Sequence, residues 1–238
     1  MSPKILCAMT KIKFTLIVFV IFSILFISCG KKSSSSDNDA PDPIPGMGDD
    51  GGDLEADETL SIEFVSALAD DITGVKVDPM PLDNPVGSGG QWVILNVLIE
   101  NTTDKEANFY LPGGSVVECQ TEGFQHAICI SRVDILIEAE KTKQCKLLVY
   151  CINEGKPGSS PSITYRIIGV STSDRIMQLV QALEGKKIDI RDYLPDNIVE
   201  FTEICTRIQK IVWTITNGSG PSEADWTFIN SLPNVADD

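Results

Sequence analysis

The sequence is poor in histidine, in positive charge and in long apolar runs, and each shortage excludes something. One histidine, His126, stands in 238 residues. A Ser-His-Asp or Cys-His hydrolase would have to use it, and no G-x-S-x-G elbow accompanies it. His126 falls beside an anticipated hairpin bend, so an exposed turn histidine is expected. A zinc site of Cys119, His126 and Cys129 lacks C-x-x-C spacing. The chain therefore reads as non-enzymatic, with no metal and no cofactor. Lysine and arginine number 19 against 34 aspartates and glutamates, for a net charge of −15. Phosphate binding needs clustered basic residues, so a nucleic-acid partner is disfavoured. An acidic surface serves solubility and repels anionic lipid. The N-terminal apolar run, Phe14–Ile27 ("FTLIVFVIFSILFI"), is shorter than the roughly 20 residues of a spanning helix.

That run has the form of an export signal. Lys4, Lys11 and Lys13 precede it, and small Ser28 stands before Cys29. With the three signal lysines removed the charge becomes −18. Ser28 and Cys29 resemble the lipobox of bacterial lipoprotein signals, with Phe26 where that family usually has Leu. The resemblance implies cleavage before Cys29, a diacylglycerol on its sulfur and an acylated new N-terminus. Two or three acyl chains, at about 0.8 kcal/mol per buried CH2, anchor firmly. Gly30, rather than Asp, follows the cysteine, which leans towards an outer-membrane address in the bacterial envelope.

Residues 30–58 are rich in Ser, Asp, Gly and Pro. Such a composition buries too little surface to offset ordering entropy, so a disordered acidic tether is expected. Its "GDDGGDLEAD" lacks the spacing of a calcium loop.

From residue 59 to 172 short apolar runs alternate with polar turns. Leu60, Ile62 and Phe64 mark a first strand. "QWVILNVLIENTTDKEANFYLPGG" predicts two strands about a turn at Asn101–Lys105, and "SVVECQTEGFQHAICIS" a hairpin bent near Gly123. "RVDILIEAEKTKQCKLLVYCIN" adds two strands about Lys141–Lys143, and "SITYRIIGVS" one more. The spacing predicts an immunoglobulin-like β-sandwich. Residues 173–238 turn helical. Ile176, Leu179 and Leu183 share a face behind a Ser173 cap; Ile198 to Ile215 recur every three or four residues; Ser222 and Asp225 open a last helix. The whole is mainly β with a helical C-terminal unit, an α+β chain. Asn101-Thr-Thr and Asn217-Gly-Ser match glycosylation sequons, read as coincidence in a bacterium.

Cys7 leaves with the signal and Cys29 takes lipid, so Cys119, Cys129, Cys145, Cys151 and Cys205 remain. An oxidising compartment pairs four and leaves one. If the hairpin folds about Phe124, Cys119 and Cys129 lie opposite and form a disulfide. Cys145 and Cys151 lie too far apart along one strand to bond. A bond from Cys145 to Cys205 would leave Cys151 alone.

"VYCIN" at 149–153 and "IQKIVW" at 208–213 resemble the thioester domains of bacterial surface adhesins. Those domains join a Cys, often after an aromatic, to the Gln of a Thr-Gln-x-Ala-Ile-Trp helix. Here Ile208 and Ile211 stand for the Thr and Ala. The resemblance implies Cys151 as thiol, Gln209 as acyl donor and Trp213 as a packing residue one turn on. A thioester is a stored electrophile that a surface amine converts to an amide. The leading expectation is a lipid-anchored extracytoplasmic protein whose β-sandwich binds a protein or an envelope polymer. The alternative is a covalent adhesin using Cys151–Gln209. A polar helix position for Gln209, with Trp213 in an ordinary core, is the plain reading of the same residues.

Overall fold

The computed structural model describes residues 42–49, 53–57, 72–74 and 84–235. The signal, Cys29 and the strand expected at Leu60–Phe64 lie outside the described residues.

Ten strands are described: β1 (Ala56–Asp57), β2 (Ile72–Gly74), β3 (Pro85–Gly87), β4 (Val93–Glu100), β5 (Ala107–Leu111), β6 (Ser115–Cys119), β7 (Ala127–Ile128), β8 (Val133–Ile137), β9 (Thr142–Cys151) and β10 (Thr164–Ser171). Three helices follow: α1 (Asp174–Leu183), α2 (Ile198–Thr216) and α3 (Glu223–Ser231). The fold is mainly β with C-terminal helices, α+β.

The larger sheet runs β1-β10-β2-β4-β9-β7-β6, with β3 parallel to β9 and β10 also paired to β6. β5 and β8 form a separate antiparallel pair. The chain therefore changes sheet at the Asn101 turn and again between β8 and β9. Neither junction closes a hairpin, because β4 pairs with β9 and not with β5. The second bend lies at Ala139–Glu140, earlier than the lysines suggested, with Glu140 at φ 54°. One buried side chain ties the two junctions together. Asn101 donates from Nδ2 to the carbonyls of Lys105, Ile137 and Glu138, and its Oδ1 accepts from the Thr103 amide and hydroxyl. It is fully buried and serves as a staple.

β9 explains the architecture. Its residues alternate between two cores. Cys145, Leu147, Val149 and Cys151 join Phe109, Leu111, Ile135 and Ile137 between the two sheets. Leu148 and Tyr150 face the other way, against the helices, with Ile152 just beyond. A strand covered on both faces reads as an unbroken apolar run, as "LLVYCI" does. The helices close the second core with Ile176, Leu179, Leu183, Phe201, Ile208, Ile211, Val212, Ile215 and Ile229. The β part and the helical part thus share a core.

Residues 42–49 and 53–57, which composition placed in the tether, are seated on the fold. Ile44 and Met47 are buried in the helix-side core. The Ile44 amide donates to the Thr216 carbonyl and the Gly48 amide to the Ile152 carbonyl. β1 pairs with β10. Gly46, at φ +71°, lies so close to Asp53 and Leu54 that a Cβ would come within 2.4 Å of the Asp53 carbonyl oxygen. Two large apolar side chains and two glycines let a polar segment dock as a strap.

Candidate functional site

Cys151 ends β9, opposite Ala127 of β7. On its other edge the neighbouring strand β4 starts only at Val93, across from Val149. The backbone of Cys151 is left without a strand there. Gln209, from the middle of α2, fills the place. Its Oε1 accepts from the Cys151 amide at 2.9 Å, and its Nε2 donates to the Cys151 carbonyl at 2.8 Å. Both residues are fully buried. One helical turn on, the Trp213 indole N–H donates to Cys151 Sγ at 3.4 Å. Burial pushes the Cys151 thiol up to about 12, against the pull of that indole and of the backbone near Asn153.

The two motifs singled out in sequence therefore meet, and Trp213 joins them. Gln209 is not an exposed polar helix residue. It is held on the side of α2 that faces the sheet, beside Ile208 and Val212 in the buried set. What meets Gln209 is the backbone of Cys151, while the thiol points to the core between the sheets, where Trp213 packs. The carboxamide of Gln209 and the indole of Trp213 thus both reach Cys151, the first at its backbone and the second at its sulfur.

A second layer supports this place. Asn153 is fully buried. Its Oδ1 accepts from the His126 amide, and its Nδ2 donates to the carbonyls of Gly46 and Gly48 in the strap. His126 is half-buried rather than exposed, and its Nδ1 accepts from the Cys119 amide at 2.9 Å. Burial, then Lys156, lower its pKa, with Glu118 opposing. Trp92 covers the outside. It is 46% exposed, and its ring lies on that of Trp213 with centroids 6.1 Å apart, tilted by 37°. Its carbonyl accepts from the Ser159 amide. Asn153, Trp92 and the strap were not singled out from sequence. The adjacency of Asn153 to "VYC" and the pair of glycines around Met47 were the available signals.

The disulfide expectation is corrected. Cys119, Cys129, Cys145, Cys151 and Cys205 are all free and buried. The β6–β7 register pairs Val117 with Ala127, so the bend falls nearer Glu122 than Phe124. Cys119 then sits across from Tyr165 of β10, while the Cys129 amide donates to Ser115. Cys145 lies in the core between the sheets and Cys205 in the core under the helices. The sheet separates them. Among the described residues no group of three or more His, Cys, Asp or Glu side chains could hold a metal ion. Two surface hollows meet at Arg191, whose guanidinium is engaged by Asp189 and by the Asp134 carbonyl; neither hollow is lined by Cys151 or Gln209.

No family model, curated protein or solved structure matches the chain. Among the described residues no helix is long and apolar enough to cross a membrane.

Proposed function

We propose that this chain is a lipid-anchored protein of the bacterial envelope, held by Cys29, whose immunoglobulin-like β module binds a protein partner and secures it through a Cys151–Gln209 thioester. The observation that carries the reading is the meeting of Cys151 and Gln209, 58 residues apart in sequence, with Trp213 donating to the sulfur. In the forming step the Cys151 thiol adds to Gln209 Cδ. Ammonia leaves, taking the thiol proton, and the C–S bond remains. In the capturing step a primary amine adds to the same carbon and the C–S bond breaks. Sulfur keeps the electron pair and takes the proton that nitrogen loses. Burial of both residues shields the bond from hydrolysis before a partner arrives.

The two hydrogen bonds from Gln209 to the Cys151 backbone favour a second reading, in which Gln209 only replaces a missing strand and binding is non-covalent. Intact mass with cysteine alkylation separates the two. The thioester reading expects the untreated protein to be lighter by one ammonia. It expects methylamine to add at Gln209 while freeing the Cys151 thiol, and Cys151→Ala to abolish both effects. An unreactive protein of full sequence mass, with Cys151 open to alkylation after unfolding, leaves the non-covalent module.

A further inference from the structure

Ile152 and Asn153, just past the end of β9, are held from two sides. On one side stands the backbone of His126. Its amide donates to Asn153 Oδ1 at 2.7 Å, and its carbonyl accepts from the Ile152 amide at 3.2 Å. On the other side lies the strap. Asn153 Nδ2 donates to the carbonyls of Gly46 at 3.1 Å and Gly48 at 2.9 Å, and the Ile152 carbonyl accepts from the Gly48 amide at 2.8 Å. The Ile152 backbone and the Asn153 carboxamide therefore form two parallel bridges from His126 to the strap. The placement of His126 depends in turn on its ring, whose Nδ1 accepts from the Cys119 amide at 2.9 Å. An imidazolium carries a proton on both nitrogens and cannot accept there. Protonation would set one N–H against another and drive the turn between β6 and β7 away from its seat.

We infer that His126 is a pH switch for the strap: protonation of its imidazole draws the His126 backbone away from Ile152 and Asn153 and releases residues 42–48 from the fold. It is the one histidine of the chain, and histidine is the side chain whose ordinary titration falls between about pH 5 and pH 8. The charged and titratable groups around the ring are Glu118 and Cys119 of β6 and Lys156 of the turn after β9, with Arg166 of β10 bound to Glu118 at 2.7 Å. Burial and then Lys156 disfavour the cation, and Glu118 favours it. The docked strap thus belongs with the neutral ring. Docking is complete above the ordinary imidazole value of about 6.5 and weakens as pH falls through it towards the docked pKa. With one proton involved, the released fraction grows by at most about tenfold per pH unit. The switch is independent of the thioester. Its consequence rests on the lipid-anchor reading: twenty-seven steps of chain separate Cys29 from Ala56 of β1, so a released strap lets the leash reach up to about 95 Å.

The test uses the full detergent-solubilised chain, labelled with carbon-13 at the methionine methyls, and follows Met47 by NMR from about pH 7.5 to about pH 5. Met47→Leu assigns the signal. The ring protons of His126 report its own titration in the same samples. The expected result is a Met47 methyl that leaves its buried position as the imidazole takes up its proton. His126→Gln, whose Oε1 can accept from the Cys119 amide at any pH, should keep Met47 buried throughout. Glu118→Gln should move the midpoint to lower pH and Lys156→Met to higher pH. A Met47 methyl that stays buried to pH 5 in the wild type overturns the switch, whether or not the imidazole titrates. Equal release in His126→Gln assigns the effect to another group and overturns it too. Should His126→Gln fail to fold, the two midpoint shifts decide: absent or reversed, they overturn the role of His126.

Discussion

Both ends of the Gln209 carboxamide are taken up by one residue, Cys151, in a place without water. Truncating the side chain would leave a backbone donor and a backbone acceptor unpaired, at about 1–3 kcal/mol for each such group. In a Cys151→Ala background, where no bond to sulfur can form and the carboxamide stays intact, Gln209→Ala is therefore expected to lower the unfolding free energy by about 2–6 kcal/mol in urea melts. A surface glutamine would lose under about 0.5 kcal/mol, and a loss that small would mean that the contact is not made. His126 offers a second measurement, because no other histidine titrates beside it. Its imidazole is held neutral by burial and by nearby Lys156, and as an acceptor from the Cys119 amide it needs an unprotonated Nδ1. The folded pKa is thus below the unfolded value of about 6.5. The contribution is complete above that value and is lost as pH falls through it towards the folded pKa. The melting temperature should drop between about pH 7 and pH 5, well above the range where Glu118, Asp134 and Asp225, all lowered, take up protons. His126→Gln should flatten that window; equal slopes in both proteins would exclude the histidine as the cause.

Elements were legible in proportion to how local their causes are. The caps of α1 and α3 lie within four residues of sequence, and the structure keeps both: Ser173 accepts from the Ile176 amide, and Ser222 and Asp225 form the reciprocal box. Apolar spacing along α2 identified Phe201, Ile208, Ile211, Val212 and Ile215 as core. Strand existence was legible too, but strand partners were not. Alternation says which face a residue takes and nothing about which strand lies beside it, so the departure of β5 to pair with β8 had no sequence signal. The Cys119–Cys129 pairing failed for a related reason. The bend residue was inferred from parity alone, and a slip in the bend moved the cysteines out of register. Cys151 and Gln209 were legible through a resemblance of short motifs, whereas Trp92 depends on a loop geometry that no local pattern encodes. The strap was hidden by composition, since two apolar side chains in an acidic stretch carry little weight in an average. Its seating has a direct consequence. Limited proteolysis should stop N-terminal to Ile44, and Met47→Ala should cost roughly 2–5 kcal/mol as a buried truncation. A stable core beginning only after Asp57 would show that the strap is not part of the fold.

At the scale of the whole molecule, the strap limits how far the folded part can stand from its proposed anchor. Thirteen steps of chain separate Cys29 from Asp42, whose carbonyl accepts from Arg175. Fully extended, they reach no more than about 45 Å. A docked strap therefore makes a short leash: a partner bonded at Gln209 would be held near the membrane, with the strap joined to Asn153, two residues from Cys151. This arrangement needs the lipid, because an acidic surface offers the bilayer no attraction of its own. Only a thiol at position 29 can take the thioether-linked diacylglycerol. Cys29→Ser is therefore expected to move the protein from the detergent phase to the aqueous phase on partitioning, or to stall it as the uncut precursor of higher mass. Its Cys151–Gln209 chemistry, tested with hydroxylamine, should stay as in the wild type, since the anchor is remote from the site in sequence. Identical partitioning of the two proteins would remove the lipid anchor from the proposal and leave the capture chemistry to be judged by itself.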